Sequence, residues 1–333
     1  MSIGLSVTAF AAGAVISLAS SWVLVSRLER VGERLGLSEA LLGMLAALAA
    51  DAPEITSSIT ALSSHQRTIG AGVVIGSNVF NLAALLGLGA IVAGRIGLHR
   101  KVVALGGGVA IWVGIVCLLA VVGVVSAAVA VVLVLVVLLP YLLLLSGARS
   151  KLSRLPIPRR WATWLALAVN EEELELVVAI RPPRGRPRDS IEAVVALVLV
   201  IGASVAMERG AATLGTRFTV APVVVGGLVL AGVTSLPNAV AAIYLAGKGR
   251  GAAALSTAFN SNTFNVLAGL LIPATVVGLA RPSGPGELVV GWYVGLTALT
   301  LALAYVGHGL RRWAGWLIVV SYAVFVVLLA LVS

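Results

Sequence analysis

A chain of 333 residues with 60% hydrophobic and 11% charged residues has a mean hydropathy of +1.09. Soluble domains carry roughly 25% charged residues, so the composition excludes a soluble globular protein and marks an integral membrane protein. The formal charge of +10 would suit nucleic acid, but in such a chain basic residues report topology first, and no nucleic-acid partner is inferred.

Apolar runs of about 20 residues recur along the chain, the length a helix needs to cross a bilayer; barrel strands would alternate over about 10. Ten spans are predicted, near residues 4–26, 38–64, 69–94, 102–122, 124–146, 190–207, 219–246, 252–280, 288–306 and 313–332. The first has no basic residue before it and Arg27, Arg30 and Arg34 after it, which is the reverse of a signal peptide. It reads as a retained span with the N-terminus outside. On that orientation 19 of the 23 basic residues are cytoplasmic, leaving Arg67, Arg209, Arg217 and Arg281 outside. The expected location is the plasma (cell inner) membrane, multi-pass, in contact with the lipid bilayer.

The second and third spans contain GMLAALAADAPEITSSITALSSHQRTIGAGVVIGSNVFN, from Gly43 to Asn81. It sets Asp51 and Glu54 around Pro53 in the middle of an apolar segment. A charge at the centre of a membrane helix costs roughly 2.5 to 3.5 kcal/mol, and proline removes a donor where no water replaces it. Cys117, the one cysteine, lies inside an apolar run and supports neither a disulfide nor a cysteine metal site.

A polar linker at 147–189, with Pro156, Pro158, Pro182, Pro183 and Pro187, separates a first five-span repeat at 1–146 from a second at 190–333. Within it WATWLALAV at 161–169 is too short to cross and reads as an interfacial piece; RPPRGRPR reads as a positive-inside segment and EEELE as a solvated face. The linker is placed in the cytoplasm.

The second half reads GLVLAGVTSLPNAVAAIYLAGKGRGAAALSTAFNSNTFN from Gly227. At a constant offset of 184 it aligns Gly43 with Gly227, Pro53 with Pro237, Ser77 with Ser261, Asn78 with Asn262, Phe80 with Phe264 and Asn81 with Asn265. Five spans, an odd number, separate equivalent positions, so the copies enter the membrane in opposite directions. The expected fold is all-α: ten transmembrane helices as two inverted five-helix repeats, with broken helices at the midplane. Pro53 and Pro237 free the carbonyls of Ala49 and Val233. With Asp51, Glu54, Thr234, Ser235, Asn238, Ser77, Asn81, Ser261 and Asn265 these form an all-oxygen cluster suited to hard cations such as Ca²⁺, Na⁺ or Mg²⁺. Both buried acids fall in the first half. Together they balance one Ca²⁺ or two Na⁺, and being so close they do not titrate independently, so protons compete with the cation. Asn78 and Asn262 belong to an adjacent part of the same face, and His65, His99 and His308 fall at span ends.

These two motifs resemble the alpha repeats of the sodium/calcium exchanger family within the cation/Ca²⁺ antiporter superfamily, which pair a G-T-S-x-P-E break with a G-S-N-x-x-N helix. The 27-residue spacing from Glu54 to Asn81 recurs from Asn238 to Asn265. The resemblance implies Ca²⁺ exchanged against Na⁺ or H⁺, with ligands on the second, third, seventh and eighth spans and backbone oxygens near Ala47 and Ala231 contributing. The family usually has glutamate at both breaks, where this chain has Asn238, and some members have aspartate at the place of Asn265. Threonine and serine before the first proline are here Ala50 and Asp51.

The function expected is a secondary antiporter exchanging Ca²⁺ or a related cation against Na⁺ by alternating access, working as a monomer on inorganic cations. Its ions are cargo; no cofactor is expected, and no nucleophile with a positioned base suggests an enzyme. A Ca²⁺/H⁺ or monovalent-cation/H⁺ exchanger, or a channel using the same oxygens as a filter, remain alternatives.

Overall fold

The computed structural model describes residues 2–37, 45, 47–145, 160, 164–165, 167–168, 185–240 and 251–333. Gly43, most of the linker with much of its 161–169 piece, and residues 241–250 lie outside the described residues. Among the described residues seven helices are long and apolar enough to cross a membrane. Six are α1 (Ile3–Arg34), α4 (Arg100–Val121), α5 (Ala127–Leu145), α6 (Pro187–Arg217), α8 (Gly284–Val306) and α9 (Arg312–Val332); the seventh, Arg67–Ala93, begins as α3 (Arg67–Asn81). The expected spans at 38–64 and 219–246 are interrupted and only partly described, as α2 (Ala52–Ser63) and as Pro222–Thr234. The stretch expected at 252–280 is helical from α7 (Gly251–Phe264) through Ile272–Val277. Apolar side chains such as Val15, Trp22, Ile191, Val198, Val136 and Val327 are exposed on the outer helices, as lipid-facing surface requires.

Two features escape a reading based on α-helical period. Wide π-helical turns occupy Leu82–Leu88, Val225–Leu230 and Asn265–Leu271, each against a candidate site residue: Asn81, Ala231 and Asn265. Single π-turns inside α-helices are rare and gather at functional sites. A short antiparallel strand pair, Arg95–Gly97 with Gly309–Arg311, sits where two span ends were expected. His99 caps α4, and His65 and His308 take positive φ in turns.

Several helix starts recur at the sequence offset. Helices starting at Ile3 and Arg100 have counterparts starting at Pro187 and Gly284, each 184 residues on. The π-turn at Leu82 and the helix at Ala127 have counterparts at Asn265 and Arg312, within one residue of the same offset.

Close packing sets the positions that matter. The π-turn at Val225–Leu230 lies against α3 through glycines: a Cβ on Gly76 would collide with the backbone of Gly227, and one on Gly226 with the carbonyl of Ile69. Helices α1 and α6 run antiparallel. Arg27 meets Asp189 at one end, Ser17 Oγ and Ser204 Oγ bond at 2.7 Å midway, and Gly210 packs on Ser6 and Phe10 at the other end. Replacing Gly76 by alanine adds about 1 kcal/mol of helix propensity but forces backbone against backbone, which costs more. A melting temperature of the purified Gly76→Ala protein several degrees below that of the parent is the expected outcome.

Candidate cation site

The first break is local chemistry. Helix at 47–50 ends at Asp51, and α2 restarts at Ala52 with Pro53 in its first turn, where a missing N–H leaves nothing unpaired. The Ala49 carbonyl that proline leaves free accepts the Ser21 hydroxyl of α1 at 3.3 Å. At the second break helix ends at Thr234, turns at Ser235 and resumes at 236–240. The carbonyls of Ala47 and Ala231 accept the amides of Asp51 and Ser235, at 2.9 and 3.2 Å, and the Ala231 carbonyl also lies 3.3 Å from the Thr234 hydroxyl.

Between the breaks the halves are joined by crossed hydrogen bonds. Asn238 Nδ2 donates to Asp51 Oδ1 at 2.7 Å, and Ser235 Oγ donates to Glu54 Oε1 at 2.8 Å. Advancing Asp51 and Glu54 by 184 gives Ser235 and Asn238, so these two bonds are images of one another. The asparagines behave in the same way. Asn78 Nδ2 donates to the Asn262 carbonyl at 3.0 Å and Asn262 Nδ2 to the Asn78 carbonyl at 3.1 Å. Asn81 Nδ2 donates to Asn262 Oδ1 at 3.1 Å while Asn265 Nδ2 donates to Asn78 Oδ1 at 3.3 Å. Ser261 links the two groups, giving its proton to Asp51 Oδ1 at 2.6 Å and accepting from Asn81 Nδ2 at 3.2 Å.

The structure therefore gathers Asp51, Glu54, Asn81, Ser235, Asn238, Ser261 and Asn265. It adds Asn78 and Asn262, whose part is to hold the amide nitrogens of Asn265 and Asn81. Thr234 and Ser77 are buried beside the breaks, but their hydroxyls donate to their own helices, at 2.9 Å to Leu230 and 3.0 Å to Val74.

What remains is acceptor oxygen. Asp51 Oδ2, Glu54 Oε2, Asn81 Oδ1, Asn238 Oδ1 and Asn265 Oδ1 are buried and accept no hydrogen bond among the described residues. A buried polar atom without a partner costs about 1–3 kcal/mol, more if charged. Five such oxygens, two of them carboxylate, fit a hard cation, whose shell is oxygen. No group of three His, Cys, Asp or Glu converges among the described residues, so a transition-metal site is not indicated there.

Sequence reasoning missed three residues. Ser58 Oγ lies at 2.9 Å from the Gly70 carbonyl and 2.8 Å from that of Gly269, tying α2 to both halves. Ser21 closes the first break. Glu208 corrects the expectation that both buried acids lie in the first half: the sixth span does not end at 207, because α6 continues to Arg217, and Glu208 is 0% exposed within it. The signal was present, a glutamate one turn beyond a serine on a helix of apolar and small residues, but the neighbouring Arg209 read as the end of the span.

Known proteins resemble the chain in sequence and in fold. The chain matches the family described as "Sodium/calcium exchanger protein" over residues 5–154 and 192–331. It is 30% identical over 135 residues to the sodium/potassium/calcium exchanger Nckx30C of Drosophila melanogaster, a match covering 40% of this chain and 15% of that relative's length. In structure it resembles the sodium-calcium exchanger NCX_Mj soaked with 10 mM Na⁺ and zero Ca²⁺, with TM-score 0.61 and 19% identity over 97% of this chain and 98% of the other. It also resembles native YfkE, with TM-score 0.62 and 18% identity over 98% and 99% of the two chains. With a family match over both halves and helices built to cross a membrane, the chain belongs to the sodium/calcium exchanger family, whose members are membrane cation transporters and not enzymes.

Proposed function

We propose that the chain is a secondary antiporter that exchanges Ca²⁺, or a closely related cation, against Na⁺ by alternating access, with Asp51, Glu54, Asn81, Asn238 and Asn265 as side-chain ligands. Ser235 and Ser261 hold the carboxylates, Thr234 and Ser77 stand behind them, and the carbonyls of Ala47 and Ala231 complete the shell. The observation that carries this reading is the set of five buried acceptor oxygens, drawn from both halves, that accept no hydrogen bond among the described residues. Ten spans in two inverted repeats of five, with the N-terminus outside and the 147–189 linker in the cytoplasm of the plasma membrane, are the topology that suits it; a single chain supplies every ligand.

The crossed bonds also account for the missing second glutamate. Under the 184-residue exchange, position 238 faces position 51. Where the family has an acid at 238 and serine at 51, this chain has Asn238 donating to Asp51 at 2.7 Å. The carboxylate has crossed to the other member of the same hydrogen-bonded pair, and the site keeps two negative charges.

Three measurements test this. In proteoliposomes an outward Na⁺ gradient should drive Ca²⁺ uptake against its own gradient. Uptake driven by a pH gradient and indifferent to Na⁺ would instead show Ca²⁺/H⁺ exchange, and flux that only dissipates gradients would show a channel. Glu54→Gln should weaken Ca²⁺ binding by roughly 100-fold, about 2.7 kcal/mol, without lowering the yield of folded protein; unchanged affinity would remove Glu54 from the site. Asp51→Ser should lose exchange, and adding Asn238→Glu should return it to within about tenfold of the parent. A double variant as inactive as Asp51→Ser would sink the idea of a displaced charge.

A further inference from the structure

Glu208 lies outside the cation cluster. It is 0% exposed, and neither of its carboxylate oxygens has a hydrogen-bond partner among the described residues. Its depth follows from the hydrogen bonds that tie α1 to its neighbours. Ser21 bonds the Ala49 carbonyl, fixing the level of the first break. One turn along α1, Ser17 bonds Ser204 of α6 at 2.7 Å. Glu208 is one turn beyond Ser204, and the same two turns along the 47–63 segment lead from Ala49 past Pro53 to Ser57. The apolar contacts agree: Met207, Ala211 and Ala212 share a cluster with Ala61, which lies one turn beyond Ser57 on the same face of α2. Ser57 Oγ is itself fully buried and without a partner among the described residues. An unpartnered carboxylate and an unpartnered hydroxyl therefore share one level, about one turn, roughly 5 Å, from the level of Glu54 toward the Ser63 end of α2.

Among the described residues no Lys or Arg forms an ion pair with Glu208; the exposed Arg209 next to it in sequence acts on it only at a distance. On α1 the titratable groups Arg27, Glu29, Arg30, Glu33 and Arg34 gather at the far end, where Arg27 and Arg30 meet Asp189. The 47–63 segment offers Asp51 and Glu54, both acids, and Pro222–Thr234 offers none. Arg209 and His65 are exposed, and the Arg67 guanidinium lies against Gly278. A metal ion finds too little here, since Ca²⁺ takes six to eight oxygens and this pair offers three among methionine, alanine and leucine. A proton needs one acceptor. Asp51 accepts two hydrogen bonds and Glu54 one from the opposite half; Glu208 accepts none among the described residues.

We propose that Glu208 is a proton-binding position of this carrier, separate from the cation cluster. The position sits between α6 and α2, so a proton held there neutralises the seam on which α1 and α6 meet the rest of the molecule. This goes beyond the exchange reading and does not depend on which cation the central site carries.

Dicyclohexylcarbodiimide adds across a protonated carboxyl and not a carboxylate, so it reads the proton directly on the full-length protein in detergent or lipid. Mass spectrometry of the digested protein is expected to place an adduct on Glu208 in the absence of any transported ion. Its amount should fall about tenfold per pH unit above a single midpoint and persist in saturating Ca²⁺. No adduct across roughly pH 6 to 9 would overturn the proposal. So would labelling that Ca²⁺ abolishes, which would make Glu208 part of the cation site. Glu208→Gln should remove the adduct and take one proton from the pH dependence of exchange, whereas Glu208→Asp should keep both; a Glu208→Gln pH profile superimposable on the parent's would also overturn it. Cation binding by the parent, titrated separately, tests the central site, so the two readings fail independently.

Discussion

Two buried carboxylates with no base beside them among the described residues set the terms for the rest of the structure. Asp51 and Glu54 are fully exposed to neither water nor lysine; what meets them is amide, hydroxyl and backbone from the other half of the chain. The proline break puts them at the start of a helix, where negative charge is favoured by the amide dipoles. The glycine seam between α3 and Val225–Leu230 brings the second break close enough for Ser235 and Asn238 to reach them. Ser21 and Ser58 then satisfy backbone that the break and the close packing would otherwise strand.

The crossing of the bonds matters as much as their number. If each half bonded only its own acids, the halves could separate without disturbing the site. Here the donors to Asp51 and Glu54 come from the second half, and each outer asparagine is oriented by the inner asparagine of the other half. The geometry of the oxygens is a property of the contact between halves, and any movement of one half against the other alters the shell directly. That is the mechanical requirement of a carrier whose site must be made and unmade.

Much of this was legible in the sequence, for identifiable reasons. Pro53 and Pro237 are unambiguous at membrane depth, and a constant offset needs no alignment to detect, so the breaks and the residues around them could be placed by number alone. The partners were less legible. That Asn238, the image of Glu54, faces Asp51 follows from the exchange of the two halves, which hydrophobic periodicity does not encode. Thr234 and Ser77 sit where spacing put them, yet their hydroxyls bond their own helices, a choice that residue type leaves open. Glu208 was lost because a charged Glu-Arg pair looks like the end of a span, and only packing shows that one member turns inward while the other stays at the surface.

The wide turns that follow Asn81 and begin at Asn265 act as phase shifters. A residue added to a helix rotates everything beyond it by about 100° unless a wider turn absorbs it. At the start of each turn the helix must aim asparagines at a polar centre; within the turn it must aim leucines, Leu85 and Leu86 in one and Leu270 and Leu271 in the other, at an apolar core. Absorbing one residue lets a single continuous rod serve both demands with different angular settings. The polar centre and its apolar support can then drift independently in sequence, each keeping its own periodicity, so long as the wide turn between them keeps its length.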